Sequence, residues 1–310
     1  MTALKHLERF FGSSDVSLLT DSKALAAHAR GLAINALLID ELNAMPTNSA
    51  CITLTREGTE SLLRLAARNR SGRAIYTQAH AFDPTLDSAI YCLDLICATD
   101  YRLAMRNQEQ LLTLLDDHHH LVLSGADSHG VLEIAQNVSP YAMIEEDVLA
   151  AEEYFIFPLA ELLEVHYTHM DPAAPRAFTL NGEFKVAGML SARGYHDPSI
   201  APSLIRSLKG LAYNVAVHGA TLLIEDSQVR AFRVGNLDYR TLLNEATGSR
   251  GLALTECAFG VNASIAERID YRVNSQLNEG IEGLHVAVGD GRCGYHIDLL
   301  IPGVSPAPLP

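Results

Sequence analysis

Gly283-Leu284-His285-Val286-Ala287-Val288-Gly289-Asp290-Gly291-Arg292-Cys293-Gly294-Tyr295-His296-Ile297-Asp298-Leu299-Leu300-Ile301 carries the pattern that sets the character of the second half of the chain. Two runs rich in valine, isoleucine and leucine flank Gly289 to Gly294, which predicts a hairpin with a loop of about six residues. Symmetric closure sets Val288 opposite Tyr295, Ala287 opposite His296 and His285 opposite Asp298. Side chains alternate faces along a strand and cross-strand partners share a face, so His285, His296 and Asp298 converge. Two imidazoles and a carboxylate suit Zn²⁺, Mn²⁺, Fe²⁺ or Co²⁺, and a hydrogen-bonded surface trio is the alternative. The apolar neighbours Val286, Val288, Ile297, Leu299 and Leu300 favour burial, which is costly for polar groups without a partner or a metal.

The same stretch contains Gly289-x-Gly291-x-x-Gly294, the bare pattern of a dinucleotide site. A strand rather than a helix follows it, so the glycines are read as turn residues. Ser128-His129 is adjacent in sequence and no G-x-S-x-G elbow exists, which leaves a serine hydrolase without support. Asp116-Asp117-His118-His119-His120 is read as a polar loop between a helix ending near Leu115 and a strand from Leu121, with metal binding as the alternative. His166 and His169 are placed near a helix C-terminus, where the dipole favours imidazolium. His129, His196 and His218 are candidates to line a cleft between the halves.

The first half alternates strand-like runs (Cys51–Leu54, Ala74–Thr77, Ala89–Ile96, Leu121–Ser124) with helical ones. The helical runs include one capped by Thr59 and carrying Leu62, Leu63 and Leu65, one over Asn107–Leu115 and one over Asp147–Val165. That alternation predicts an α/β domain with a mostly parallel sheet. The prolines in Asp171-Pro172-Ala173-Ala174-Pro175 mark a boundary. Beyond it strands dominate, including a hairpin of Ala220–Ile224 and Val229–Val234. The expected layout is an α/β domain over 1–175, an α+β metal-binding domain over 176–301 and an extended proline-rich tail over 302–310.

The chain has 310 residues, 48% hydrophobic and 19% charged, and carries a net charge of −14. No apolar run reaches the ~20 residues that span a bilayer, and the acidic balance disfavours a phosphate backbone, so neither membrane nor nucleic acid is expected as a partner. Met1–Gly12 lacks the form of a secretory signal, which predicts a cytoplasmic protein. Five cysteines without a C-x-x-C pair read as reduced thiols, whereas thirteen histidines without tryptophan point to metal or proton chemistry.

From Phe178 to Ile301 the sequence resembles the metallopeptidases of the aminopeptidase T and aminopeptidase S type. Asn181-Gly182-Glu183-Phe184 is similar to that family's Pro-x-(Gly/Glu)-Glu-Val strand, and Gly219–Val234 to its strand, acidic turn and strand. Leu254-Thr255-Glu256-Cys257-Ala258-Phe259-Gly260-Val261-Asn262 resembles its Gly-Glu-Leu-Ala-Leu-Gly-x-Asn segment, followed by His285-Val286-Ala287-Val288-Gly289 and His296-Ile297-Asp298. The resemblance implies a thermophilic aminopeptidase-like fold and two divalent ions (Zn, Co or Mn) held by Glu183, Glu256, His285, His296 and Asp298. It also implies a homodimer paired through the C-terminal half, with Phe259–Gly283 as the surface. The family's tyrosine after the His-x-Ala strand has no counterpart, because Arg292 and Cys293 occupy that place.

The activity implied is hydrolysis of an amide or peptide bond near a free amino terminus in a small peptide or amino-acid-derived substrate. Glu183 is the implied metal ligand or proton shuttle, with Glu279 and Glu282 as further candidates for the shuttle. Arg292 is the candidate oxyanion donor, and Asp290, Glu279 and Glu282 are candidates to receive the substrate ammonium. A branch with similar motifs, the 2,5-dihydroxypyridine dioxygenases, implies instead one Fe²⁺ on two histidines and an aspartate, with His196 near the substrate. The carboxylate at Glu256 favours the hydrolase. A non-catalytic homologue that binds a peptide or partner is the third reading.

Overall fold

The computed structural model describes residues 4–68, 72–142, 156–171, 173–193 and 201–310. His196, Pro172 and residues 147–155 of the helix expected over Asp147–Val165 lie outside the described residues, and the remainder of that stretch is strand and a single 3-10 turn rather than an α-helix. In chain order the strands are β1 (Ser17–Thr20), β2 (Ala36–Leu38), β3 (Asn48–Thr53), β4 (Arg73–Gln78), β5 (His120–Gly125), β6 (Ser128–Ile134) and β7 (Ile156–Pro158). They continue as β8 (Glu164–Thr168), β9 (Phe178–Val186), β10 (Gly188–Ala192), β11 (Ala220–Glu225), β12 (Gln228–Val234) and β13 (Leu237–Asp238). The last four are β14 (Leu254–Gly260), β15 (Gly283–Val288), β16 (His296–Pro302) and β17 (Ser305–Pro308).

These strands form a mixed α/β molecule. The first sheet, ordered β2-β1-β3-β4-β7, is parallel throughout. Helices cover both of its faces, which is why β3 is buried at every position. Leu62 and Leu65 of the helix Arg56–Arg68 pack on one face, with Leu19 and Cys51. Residues 86–98, expected as a strand over 89–96, form a helix instead, and its buried Ala89, Cys92, Leu93 and Ile96 pack on the other face. The Thr85 hydroxyl accepts from Ser88 N and starts that helix, an N-cap that an apolar run masks in the sequence. Thr59 is a buried residue inside its helix rather than a cap. Thr55 begins that helix, its hydroxyl accepting from Gly58 N.

Two further sheets pack face to face. A seven-stranded sheet runs β13-β12-β11-β9-β6-β5-β17 and a five-stranded one runs β10-β16-β15-β14-β8. Phe184, Leu222 and Phe232 from the former meet Cys257, Phe259, Val286, Ile297 and Leu299 from the latter in one core. Each such side chain contributes about 1.5–3 kcal/mol when fully buried. The sheets do not divide at 171–175: β5, β6 and β8 precede that segment yet pair with β9, β17 and β14. The tail is not loose either, since Ser305–Pro308 pairs with Leu121–Ser124 as an edge strand. Pro306 and Pro308 on that edge discourage pairing with another chain. Among the described residues no helix is long and apolar enough to cross a membrane.

Candidate metal centre

The five-stranded sheet has a dry face and a polar face. Val165, Tyr167, Cys257, Phe259, Val286, Val288, Ile297 and Leu299 face the core. Alternation then turns Glu164, His166, Glu256, His285, His296 and Asp298 to the opposite side. Pairing aligns them: Ala258 lies opposite both His166 and His285, and Ala287 lies opposite both Glu256 and Asp298. The β15–β16 register differs from symmetric closure, with His285 opposite Leu300 and Val288 opposite Ile297. The loop runs from Gly289 through Tyr295, because Tyr295 N donates to Ala246 O instead of pairing with Val288. A shift of two residues preserves the face, so the convergence survives the change in register.

His285 Nε2 lies 3.2 Å from Glu164 Oε2 and 3.5 Å from Glu256 Oε1. His296 Nε2 lies 3.0 Å from Asp298 Oδ1 and 3.7 Å from Glu256 Oε2. His166 Nδ1 is 3.7 Å from Glu164 Oε1, and the Tyr141 ring stacks beside this imidazole at 4.7 Å between centroids. Two ligand triads result, Glu164–His166–Glu256 and Glu256–His296–Asp298, sharing Glu256. The ligand atoms of each triad lie within 4.8 Å of one another. Glu164 Oε2, His166 Nδ1 and His285 Nδ1 are buried without a hydrogen-bond partner among the described residues. Orphaned acceptors and imidazole nitrogens around shared carboxylates fit one or two divalent cations.

The electrostatics of the side chains alone point the same way. Burial pulls the His285 imidazole down, but the hydrogen bond and charge of Glu256 with the charge of Glu164 outweigh it and hold the pKa at about 9. His296 stands at about 10, because Asp298 and Glu256 overcome its burial. Burial pushes Glu256 up, but His285 and His296 win and hold it at about 2. Glu279, buried beside Asp298, is held well above the usual carboxylate range by burial, then by the charges of Asp298, Glu164 and Glu256. A site with this surplus of negative charge demands positive partners, either protons or a metal ion.

The structure brings together Glu256, His285, His296 and Asp298, and adds Glu164 and His166. Glu183 is elsewhere: it sits on the outer face of the seven-stranded sheet, about half exposed and 3.8 Å from Lys185 Nζ, so it is neither ligand nor base for this cluster. Phe184 beside it points into the core that separates the sheets. Arg292 is exposed at the tip of the loop, its N–H donating to Asp290 Oδ1, and is remote from an oxyanion role. Asp290 is occupied there and by Arg250, 3.7 Å away, while Glu282 is exposed. Neither faces the cluster.

The expected helix over 147–165 hid Glu164 and His166, since helical spacing puts them on different sides. Read as a strand, Glu164-Val165-His166-Tyr167-Thr168 alternates polar and apolar. His118 and His119 form the turn into β5, which His120 opens, and no metal triad among the described residues includes them. A cleft of about 1200 Å³ opens between the halves, lined by Thr55, Arg56, His80, Arg193, Tyr213 and Tyr295 among others. His129 and His218 are exposed elsewhere and do not line it, and none of the clustered ligands does.

Comparison with known proteins gives a distant structural likeness and a family. Wild-type AmpT from Thermus thermophilus superposes with a TM-score of 0.47 at 13% identity, covering 99% of this chain and 96% of that one. The 2,5-dihydroxypyridine dioxygenase from Pseudomonas putida KT2440 gives 0.43 at 12% identity, covering 96% of this chain and 91% of that one. No curated protein sequence matches. The model of the crocagin biosynthetic protein CgnE/B family matches residues 13–308, and the chain belongs to that family.

Proposed function

We propose that this protein is a divalent-cation-dependent hydrolase acting on an amide or peptide bond. The observation that carries the reading is Glu256, shared by two largely buried ligand triads whose atoms have no other complete set of partners. Glu164, His166, Glu256, His296 and Asp298 would hold the cations, with His285 between Glu164 and Glu256. Zn, Co or Mn bound there would acidify a water and polarise a carbonyl. The chain's own groups supply the rest. Glu279 keeps a proton against Asp298 and limits the negative charge beside the ligands. Glu161, half-buried next to Glu164, is raised by burial and by that neighbour's charge, which suits it to exchange protons with solvent at the rim.

Glu161→Gln is therefore expected to retain cations yet lower turnover by about 10²–10⁴-fold. Retention of full turnover with normal metal content removes Glu161 from the mechanism. The test of the reading itself is hydrolysis of unblocked amino-acid amides and short peptides beside their N-acetylated counterparts. Turnover of the former that is lost on chelation supports it. No hydrolysis of either, with oxygen uptake on a hydroxylated pyridine, would replace it with the mononuclear iron reading. The family's description is of a biosynthetic protein. A natural substrate that is a biosynthetic intermediate agrees with that description better than a generic dipeptide does.

A further inference from the structure

Strand β14 carries an extra residue where the two faces of its sheet must be sorted. Leu254 pairs with Val288 and Glu256 with Ala287, so Thr255 has no partner across the ladder. Uninterrupted alternation would put Leu254 and Glu256 on one face. With the bulge, Leu254 joins the core alongside Val288, and Glu256 joins the cation ligands. Thr255 itself is fully buried. Its hydroxyl donates to Gly289 O at 2.7 Å and lies 3.3 Å from Ala287 O.

Gly289 O has a second neighbour, His296 Nδ1 at 3.1 Å. A carbonyl oxygen can only accept, so Nδ1 carries the hydrogen and Nε2 is the atom aimed at Asp298 and Glu256. The carbonyl's direction depends on Gly289 having φ +82°, where a Cβ would collide with Tyr295 O. We propose that Thr255 is a positioning residue: its hydroxyl fixes the Gly289 carbonyl, and that carbonyl fixes the His296 imidazole with Nε2 facing the cation site. The value for metal binding rests on the cation reading given above, whereas the orientation of the ring does not.

The full chain is compared with Thr255→Val, which removes the hydroxyl at nearly constant shape, and Thr255→Ser, which keeps it. Thr255→Ala takes the place of the valine variant if that one does not fold. Two measurements are made: Co²⁺ affinity by competition, and exchange of the His296 Nδ1 proton by ¹⁵N-edited NMR without added metal. The valine variant is expected to bind Co²⁺ about 10- to 100-fold more weakly, the loss typical of an outer partner of a metal ligand, and to exchange that proton about tenfold faster. The serine variant restores both. Wild-type exchange in the valine variant, or a serine variant as defective as valine, overturns the proposal. If the wild type takes up no cobalt, the cation reading has failed and the exchange rates alone decide the role of Thr255.

Discussion

Glu256→Ala is expected to lose both cations, and with them all hydrolysis, even though it removes a single carboxylate. Glu256 is the residue common to the two triads, and it also faces His285 and His296. Each triad left without it retains two ligands, too few for tight binding of a divalent ion. Removing one member of a buried charged set leaves its partners uncompensated and costs about 3–5 kcal/mol, so the alanine variant will also be less stable. Glu256→Gln separates the effects. The amide keeps the shape but not the charge, and metal content by inductively coupled plasma mass spectrometry should fall as far as in alanine. One full equivalent of metal in both variants would show that Glu256 does not join two sites.

Chelation should lower the melting temperature by about 4–8 °C. A ligand that binds only the folded state at about 1,000 times its Kd adds about 4 kcal/mol, and a degree or two per kcal/mol follows for a chain of this size. The effect should be specific to the cluster. Glu256→Gln, which cannot supply the negative charge that either cation needs, should melt at the same temperature with or without chelator. Calorimetry of both proteins, with and without EDTA, makes the check. A wild type whose melting is indifferent to chelator and to added Zn²⁺ would contradict it.

Much of the site was legible because a hairpin is local. His285, His296 and Asp298 fall within fourteen residues, and the period of two fixed their shared face even though the register was off by two. The parallel sheet was legible for the same reason: β3 and β4 carry their apolar, β-branched runs openly. What failed was arbitration between periods. Ala89–Ile96 is apolar except for Asp94, so neither alternation nor helical spacing stands out in it, and the N-cap at Thr85 decided the outcome. Glu164 and His166 were lost to the same ambiguity. Glu183 rested on a motif match alone, and only the packing of Phe184 against the core reveals that it faces away from the cluster. The bulge at Thr255 is a long-range feature, visible only once β15 lies beside β14.

Whether the polar face of the five-stranded sheet is a cation centre is decided by metal analysis of the full chain purified without chelator. About two equivalents of zinc, cobalt or manganese per chain are expected, as two triads sharing Glu256 require. A protein that carries no divalent metal and takes none up on dialysis against Zn²⁺, Co²⁺ or Mn²⁺ would contradict it, and a single equivalent of iron would contradict the two-cation hydrolase.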